Sequence, residues 1–173
     1  LGKSSYIILL IFLIIIGLAI INFINFMDGI DGLVAGSMII IFIMCAILIS
    51  NSYLIFVGSL LAFLIWNWYP SKVFMGDGGS TFLGALFFGL LLDSSSVFES
   101  SKILIVSSPL LLDSSVCVLR RFFNNQKIFD SHCSHLYQRL YQSGWKHSSV
   151  AILYMSCILT LGISMIFRGF KIT

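Results

Sequence analysis

Long unbroken apolar runs, rather than two-residue alternation, dominate the chain, and short clusters of polar residues punctuate them. A helix rises about 1.5 Å per residue, so crossing about 30 Å of hydrocarbon takes about 20 mostly apolar residues. Six windows approach that requirement: Tyr6 to Phe23, Leu33 to Ser50, Tyr53 to Trp68, Thr81 to Leu92, Ile103 to Leu119 and Val150 to Phe167. The fourth is short. The pattern predicts an all-α, polytopic transmembrane helical bundle of about six spans, with residues 1–173 forming a single membrane-embedded domain without internal repeats. Consecutive spans alternate direction. The connections near residues 24–32, 69–80 and 120–149 therefore share one side of the bilayer, and the remaining connections share the other.

Composition agrees. Of the residues, 58% are hydrophobic and only 10% charged, and the mean hydropathy is +1.03. That excludes an ordinary soluble globule, of which about 25% would be charged. A disordered chain is excluded because such chains lack this much apolar surface. The net charge of +3 is small and scattered, so nucleic acid is not an expected partner. Its distribution bears on orientation instead. The first set of connections holds Lys72, Arg120, Arg121, Lys127, Arg139 and Lys146, whereas the second set and the termini hold Lys3, Lys102, Arg168 and Lys171. Enrichment of Lys and Arg in cytoplasmic loops assigns the first set to the cytoplasm. Cys45, Cys117, Cys133 and Cys157 show no CxxC spacing, so neither a disulfide framework nor a zinc site is expected. Trp66, Trp68, Tyr69 and Tyr53 suit interfacial anchoring.

The chain has only seven acids, and three of them, Asp28, Asp31 and Asp77, fall in the two shorter connections of the cytoplasmic set. The first, NFINFMDGIDGL, spaces Asn22, Asn25, Asp28 and Asp31 by three, which on a helix makes a slowly winding polar ridge. Gly29 and Gly32 let the backbone bend or approach a ligand. Grouped carboxylate and amide oxygens match a hard cation such as Mg²⁺, with Mn²⁺ an alternative. The plain alternative is a helix end that faces water. The second segment, PSKVFMGDGGS, sets Asp77 among Gly76, Gly78 and Gly79 at the entry to an apolar run. Free backbone N–H groups there favour phosphate, Asp77 could hold a bridging metal, and Lys72 could add a point charge; alone, the motif is a capped turn.

The connection from Arg120 to Ser149 carries every histidine. In a helical segment His132, His135 and Arg139 share a broad face that could bind phosphate oxygens or position a metal-bound diphosphate; an interfacial helix with solvated histidines is the competing reading. Arg120 and Arg121, with Lys127, could grip an anionic headgroup, although orientation alone accounts for them. Asp113 falls within the fifth window, where an ionisable group is costly. A structural pairing, with Arg120 seven residues on or through a neighbouring helix, is preferred over a catalytic role.

Taken in order, NFINFMDGIDGL, PSKVFMGDGGS, PLLLDSSVCVLRR and SHCSHLYQRL closely resemble the polyprenyl-phosphate N-acetylhexosamine-1-phosphate transferases, glycosyltransferase family 4. QRL and the GW-KH feature look more like the O-antigen branch than the muramoyl-pentapeptide branch. The resemblance implies Mg²⁺-dependent transfer of sugar 1-phosphate from a UDP-N-acetylhexosamine to undecaprenyl phosphate at the cytoplasmic face of the bacterial inner membrane. UMP is released, and a cell-envelope glycan is begun. It implies Asp77 as principal metal ligand, Asp28 and Asp31 in the metal and catalytic site, and Asn22 and Asn25 shaping the nucleotide pocket. His132 and His135 would assist at the diphosphate, with Lys72, Gly78, Gly79, Arg120, Arg121 and Arg139 on substrate. A homodimer stays open.

Two departures matter. Relatives carry an acidic pair in an earlier cytoplasmic loop, and this chain has none; with Leu1 opening almost directly into a span, the sequence is expected to be the carboxy-terminal part of an enzyme of ten or eleven spans. Ser134 stands where relatives often have another histidine. An ion-coupled transporter and an inactive fragment of the transferase scaffold remain alternatives. A transporter, however, would place its coupling groups near the bilayer midplane rather than at span ends on one side.

Overall fold

A computed structural model describes residues 3–126 and 135–169. Eight α-helices and one 3-10 turn are present among the described residues, and no strand: α1 (Lys3–Phe26), α2 (Leu33–Leu48), the 3-10 turn Asn51–Tyr53, α3 (Leu54–Asn67), α4 (Gly76–Asp93), α5 (Val97–Val106), α6 (Ser108–Phe123), α7 (Leu136–Gln142) and α8 (His147–Gly169). The all-α expectation holds.

The six apolar windows all become helix, with one division. The fifth breaks at Ser107 into α5 and α6, whose axes differ by 76°. Pro109 lies in the first turn of α6. Lacking an N–H and clashing with the preceding turn, proline cannot continue a helix from α5 but suits the start of a new one. By length and apolarity α1 and α8 can each cross a membrane, and the bent α5–α6 pair adds a third crossing if it counts as one span. The remaining windows make shorter helices. In α4 the reason is visible: its first turn is the GDGGS segment, which leaves only a short apolar stretch behind it.

α2 is apolar all round and sits at the centre, packed by α3, α8 and α5, with Leu33, Met38, Phe42 and Cys45 fully buried. α1 pairs with α4 and α6. The α1–α4 approach is set by Gly84: a Cβ there would lie 2.8 Å from the Cα of Ile21, so backbone meets backbone. The outer faces are strongly apolar. Tyr6, Ile7, Ile8, Leu10 and Phe12 on α1, and Ile55 and Ile65 on α3, are exposed in an extent that suits hydrocarbon rather than water. At one end Tyr53 donates a hydrogen bond to Asp93 at 3.2 Å, joining the 3-10 turn to the end of α4. The other end carries Asp28, Asp31 and Asp77.

Candidate active site

The site grows from two helix ends. α1 stops at Phe26 and the chain turns through Met27 to Gly32, where the backbone reaches φ 75°, before α2 begins. Only Asn22 and Asn25 of the expected ridge are therefore on the helix; Asp28 and Asp31 lie beyond its end. The cause is local, because Gly29 and Gly32 favour turning over helix continuation. Opposite, α4 starts at Gly76, so Asp77, Gly78 and Gly79 form its first turn rather than a loop ahead of it. The backbone N–H groups of that turn have no partner within the helix. The two ends are tied by Ser80, whose hydroxyl donates to Asn25 Oδ1 at 2.5 Å.

Asp28, Asp31, Asn67, Gly76, Asp77 and His147 line one cavity of about 240 Å³, together with Ile30 and Phe74. Residues distant in sequence thus meet at one end of the bundle. Asp28 accepts no hydrogen bond from the described residues. Burial, and then the neighbouring charge of Asp77, push its carboxyl up to about 7. Asp28 is thus a carboxyl perturbed by burial and by a neighbouring acid inside a polar cavity, the kind of environment in which functional carboxylates are found.

Asp31 has a different task. Its Oδ1 accepts from the Ser71 hydroxyl at 2.8 Å and its Oδ2 from the Ser71 N–H at 3.2 Å. His147 Nδ1 lies 3.4 Å from both Asp31 Oδ2 and the Asp31 backbone nitrogen, so it accepts from the latter when neutral and donates to the former when protonated. The imidazole is flanked by Tyr69 and Tyr141, with ring centroids at 5.1 and 4.6 Å. Beside it, buried Asn67 accepts from Gly32 N–H at 3.1 Å and donates to the Val73 carbonyl at 3.0 Å. Asp31 and Asn67 together fasten the loop 27–32 to the loop 68–75.

Residues 2–95, just over half of the chain, match the profile of glycosyl transferase family 4. The chain belongs to that family. A Bacillus subtilis relative described as a probable undecaprenyl-phosphate N-acetylglucosaminyl 1-phosphate transferase is 32% identical over 116 residues, covering 63% of this chain and 32% of its own length. A phospho-N-acetylmuramoyl-pentapeptide-transferase of Prochlorococcus marinus (strain MIT 9301) is 35% identical over 141 residues, covering 74% of this chain and 38% of the relative. A decaprenyl-phosphate N-acetylglucosaminephosphotransferase of Mycobacterium leprae is 29% identical over 111 residues, covering 56% and 28%. The chain spans about a third of the length of these relatives.

Within this family member the expected residues fall into groups. Asp28, Asp31 and Asp77 share the cavity, and Asn25 is tied to Ser80 behind it. Asn22 is exposed and donates to its own helix at Leu18 O, 2.7 Å away. Lys72 is outside the cavity lining, its ammonium 5.3 Å from the Trp66 ring centroid. Arg120 and Arg139 line a separate groove of about 430 Å³ with Pro109, Leu112 and Val116, while Arg121 is buried. His132 lies outside the described residues. His135 does not share a helical face with Arg139, because it sits one residue ahead of α7 in extended backbone, 2% exposed. Nor does Asp113 pair with Arg120: among the described residues its partners are on α7 and α8, with His135 just ahead of α7, so the neighbouring-helix alternative is the one realised.

Sequence reasoning passed over His147 and Asn67 as site residues. Each carried a signal: an amide closing an otherwise apolar span, and a histidine opening the last span on the side that holds the acids.

Proposed function

We propose that the full-length protein transfers N-acetylhexosamine 1-phosphate from a UDP-sugar to undecaprenyl phosphate, releasing UMP, at the cytoplasmic face of the inner membrane, and so begins a cell-envelope glycan. The observation that carries the reading is the pairing of Asp28 and Asp77 across one cavity at two helix ends, in a chain of this family.

The residues fit a magnesium ion in a particular way. Among the described residues no three His, Cys, Asp or Glu side chains converge to hold an ion by themselves. Mg²⁺ needs no such cage, since it typically takes one or two carboxylates, retained waters and substrate phosphates. Asp28 and Asp77 supply that pair. Bound there, Mg²⁺ would neutralise phosphate charge and stabilise the departing UMP.

In the transfer, an oxygen of the lipid phosphate forms a bond to the β-phosphorus of the UDP-sugar. The bond from that phosphorus to the oxygen bridging to the α-phosphate breaks, and UMP leaves with the electron pair. Both reactants are anions. The first-turn N–H groups of α4 receive phosphate oxygens without a charge penalty, and the helix dipole adds to that preference. Asp31, His147 and Asn67 keep the two loops in register, so the reactants meet in a fixed geometry. The isoprenoid tail remains in the bilayer.

The test uses the full-length protein in detergent with Mg²⁺, UDP-N-acetylglucosamine or another UDP-N-acetylhexosamine, and undecaprenyl phosphate. UMP release and lipid-linked product are expected, both lost on adding EDTA. Asp77→Asn should lower turnover about 100- to 1000-fold, an effect of the size seen when charge stabilisation is removed from a transfer site. Undiminished turnover in that variant overturns the reading.

A further inference from the structure

We propose that Asp113 is a positioning residue that holds the histidine-bearing connection against the acidic turn through the start of α7; its consequence for turnover rests on the transferase reading above.

α7 has seven residues, too few to be stable as an isolated helix, so its order depends on what it is fastened to. Two fastenings are present. On one side Asp113, on α6 with its side chain 5% exposed, accepts the Leu136 N–H on Oδ1 at 2.7 Å and the Tyr137 N–H on Oδ2 at 3.2 Å. The same Oδ2 accepts the Tyr154 hydroxyl of α8 at 2.6 Å, and His135 Nδ1 lies 3.8 Å from Oδ1. On the other side Tyr137, 1% exposed, donates its hydroxyl to the Phe26 carbonyl at 3.0 Å. That hydroxyl rests against Gly29, where a Cβ would stand 2.1 Å from it. A continuous series therefore runs from Asp113 through the first turn of α7 and the Tyr137 ring to the chain between Phe26 and Gly29.

The chemistry calls for a carboxylate. Both oxygens accept, and three donors from two helices converge on them. An amide of the same shape would turn an NH2 group toward one of those donors and lose at least one bond. First-turn N–H groups are otherwise without partners, and negative charge suits that end of a helix.

The full-length protein in detergent distinguishes this from a general structural role. Two variants weaken the fastening differently. Asp113→Asn removes the charge and one acceptor. Leu136→Pro removes only the N–H that Oδ1 accepts; proline suits the first helical position, residue 135 is already extended, and the Leu136 side chain is exposed. Native-state trypsin cleavage after Arg139, read by mass spectrometry, should speed up at least about tenfold in Asp113→Asn and severalfold in Leu136→Pro. Turnover should fall at least about tenfold in Asp113→Asn, with the KM for UDP-sugar changed less than about threefold. Unchanged cleavage in both variants overturns the anchor. Faster cleavage with unchanged turnover overturns the positioning role. If the unmodified protein shows no transfer, the functional reading fails while the cleavage rates still decide the anchor. Should Asp113→Asn fail to fold, Leu136→Pro carries the test alone, with the same two outcomes decisive.

Discussion

Asp28 and Asp31 are three residues apart and chemically identical, yet their surroundings give them opposite effects on stability. Asp28 is desolvated and faces Asp77, so its folded-state proton affinity exceeds that of the unfolded chain, from an ordinary 3.8 up to about 7. A carboxyl raised in this way binds more protons folded than unfolded between those values. Stability of the metal-free protein therefore falls as pH rises through that window and levels off above about 7. Asp28→Asn should remove this slope and, without metal at pH 8, raise the thermal midpoint. Asp31→Asn should do the reverse at the same pH, because both oxygens of Asp31 serve Ser71; losing one accepted bond costs about 1–3 kcal/mol. Thermal unfolding in detergent with EDTA checks both signs. Excess Mg²⁺ should stabilise the unmodified protein and not Asp28→Asn. The sequence displays both acids in one motif, but which is clamped and which is held ready is decided by Ser71 and His147, residues 40 and 116 positions away in the chain.

The helices place these residues through close backbone contact rather than through side-chain reach. Because Asn25 and Asp28 follow from α1, while Asp77 and Ser80 stand on α4, the α1–α4 separation fixes the width of the cavity. Gly84 sets that separation. Gly84→Ala forces a methyl against Ile21 backbone, which cannot yield as a side-chain tip can. It should cost about 1–3 kcal/mol of stability as overpacking does, and turnover should drop further than Ala85→Gly, on the exposed face of the same helix, makes it drop. The helices themselves were legible in the apolar windows, since length and apolarity are properties of a local stretch. Their breaks were legible only in part. The fifth window was expected as one span from Ile103 to Leu119, although Pro109 within it marks the start of α6, and the histidine connection read as helix on spacing alone; spacing describes a face only if the backbone is already helical, and at His135 it is extended.

Over the whole molecule, alternation of the spans predicted that three connections would meet on one side, and the cavity formed by Asp28, Asp31, Asp77 and His147 joins members of all three. At the other end the Tyr53–Asp93 bond joins the two connections assigned to the opposite side. What the sequence could not supply is the depth and partner of each polar group, because these depend on which helices pack together. Orientation of the bundle is a separate question, decided by cations: Lys72, Arg120, Arg121, Arg139 and Lys146 belong to the cavity side, and only Lys102 lies between spans on the other. Lys and Arg are retained on the cytoplasmic side, so the cavity should open inward. In the full-length protein with its own cysteines replaced, Ser52→Cys and Ser95→Cys should react with a membrane-impermeant maleimide on intact cells. Asn124→Cys and Ser143→Cys, exposed on the cavity side, should react only after the membrane is opened. The inverse pattern would set the acids facing outward and overturn the proposed reaction at the cytoplasmic face.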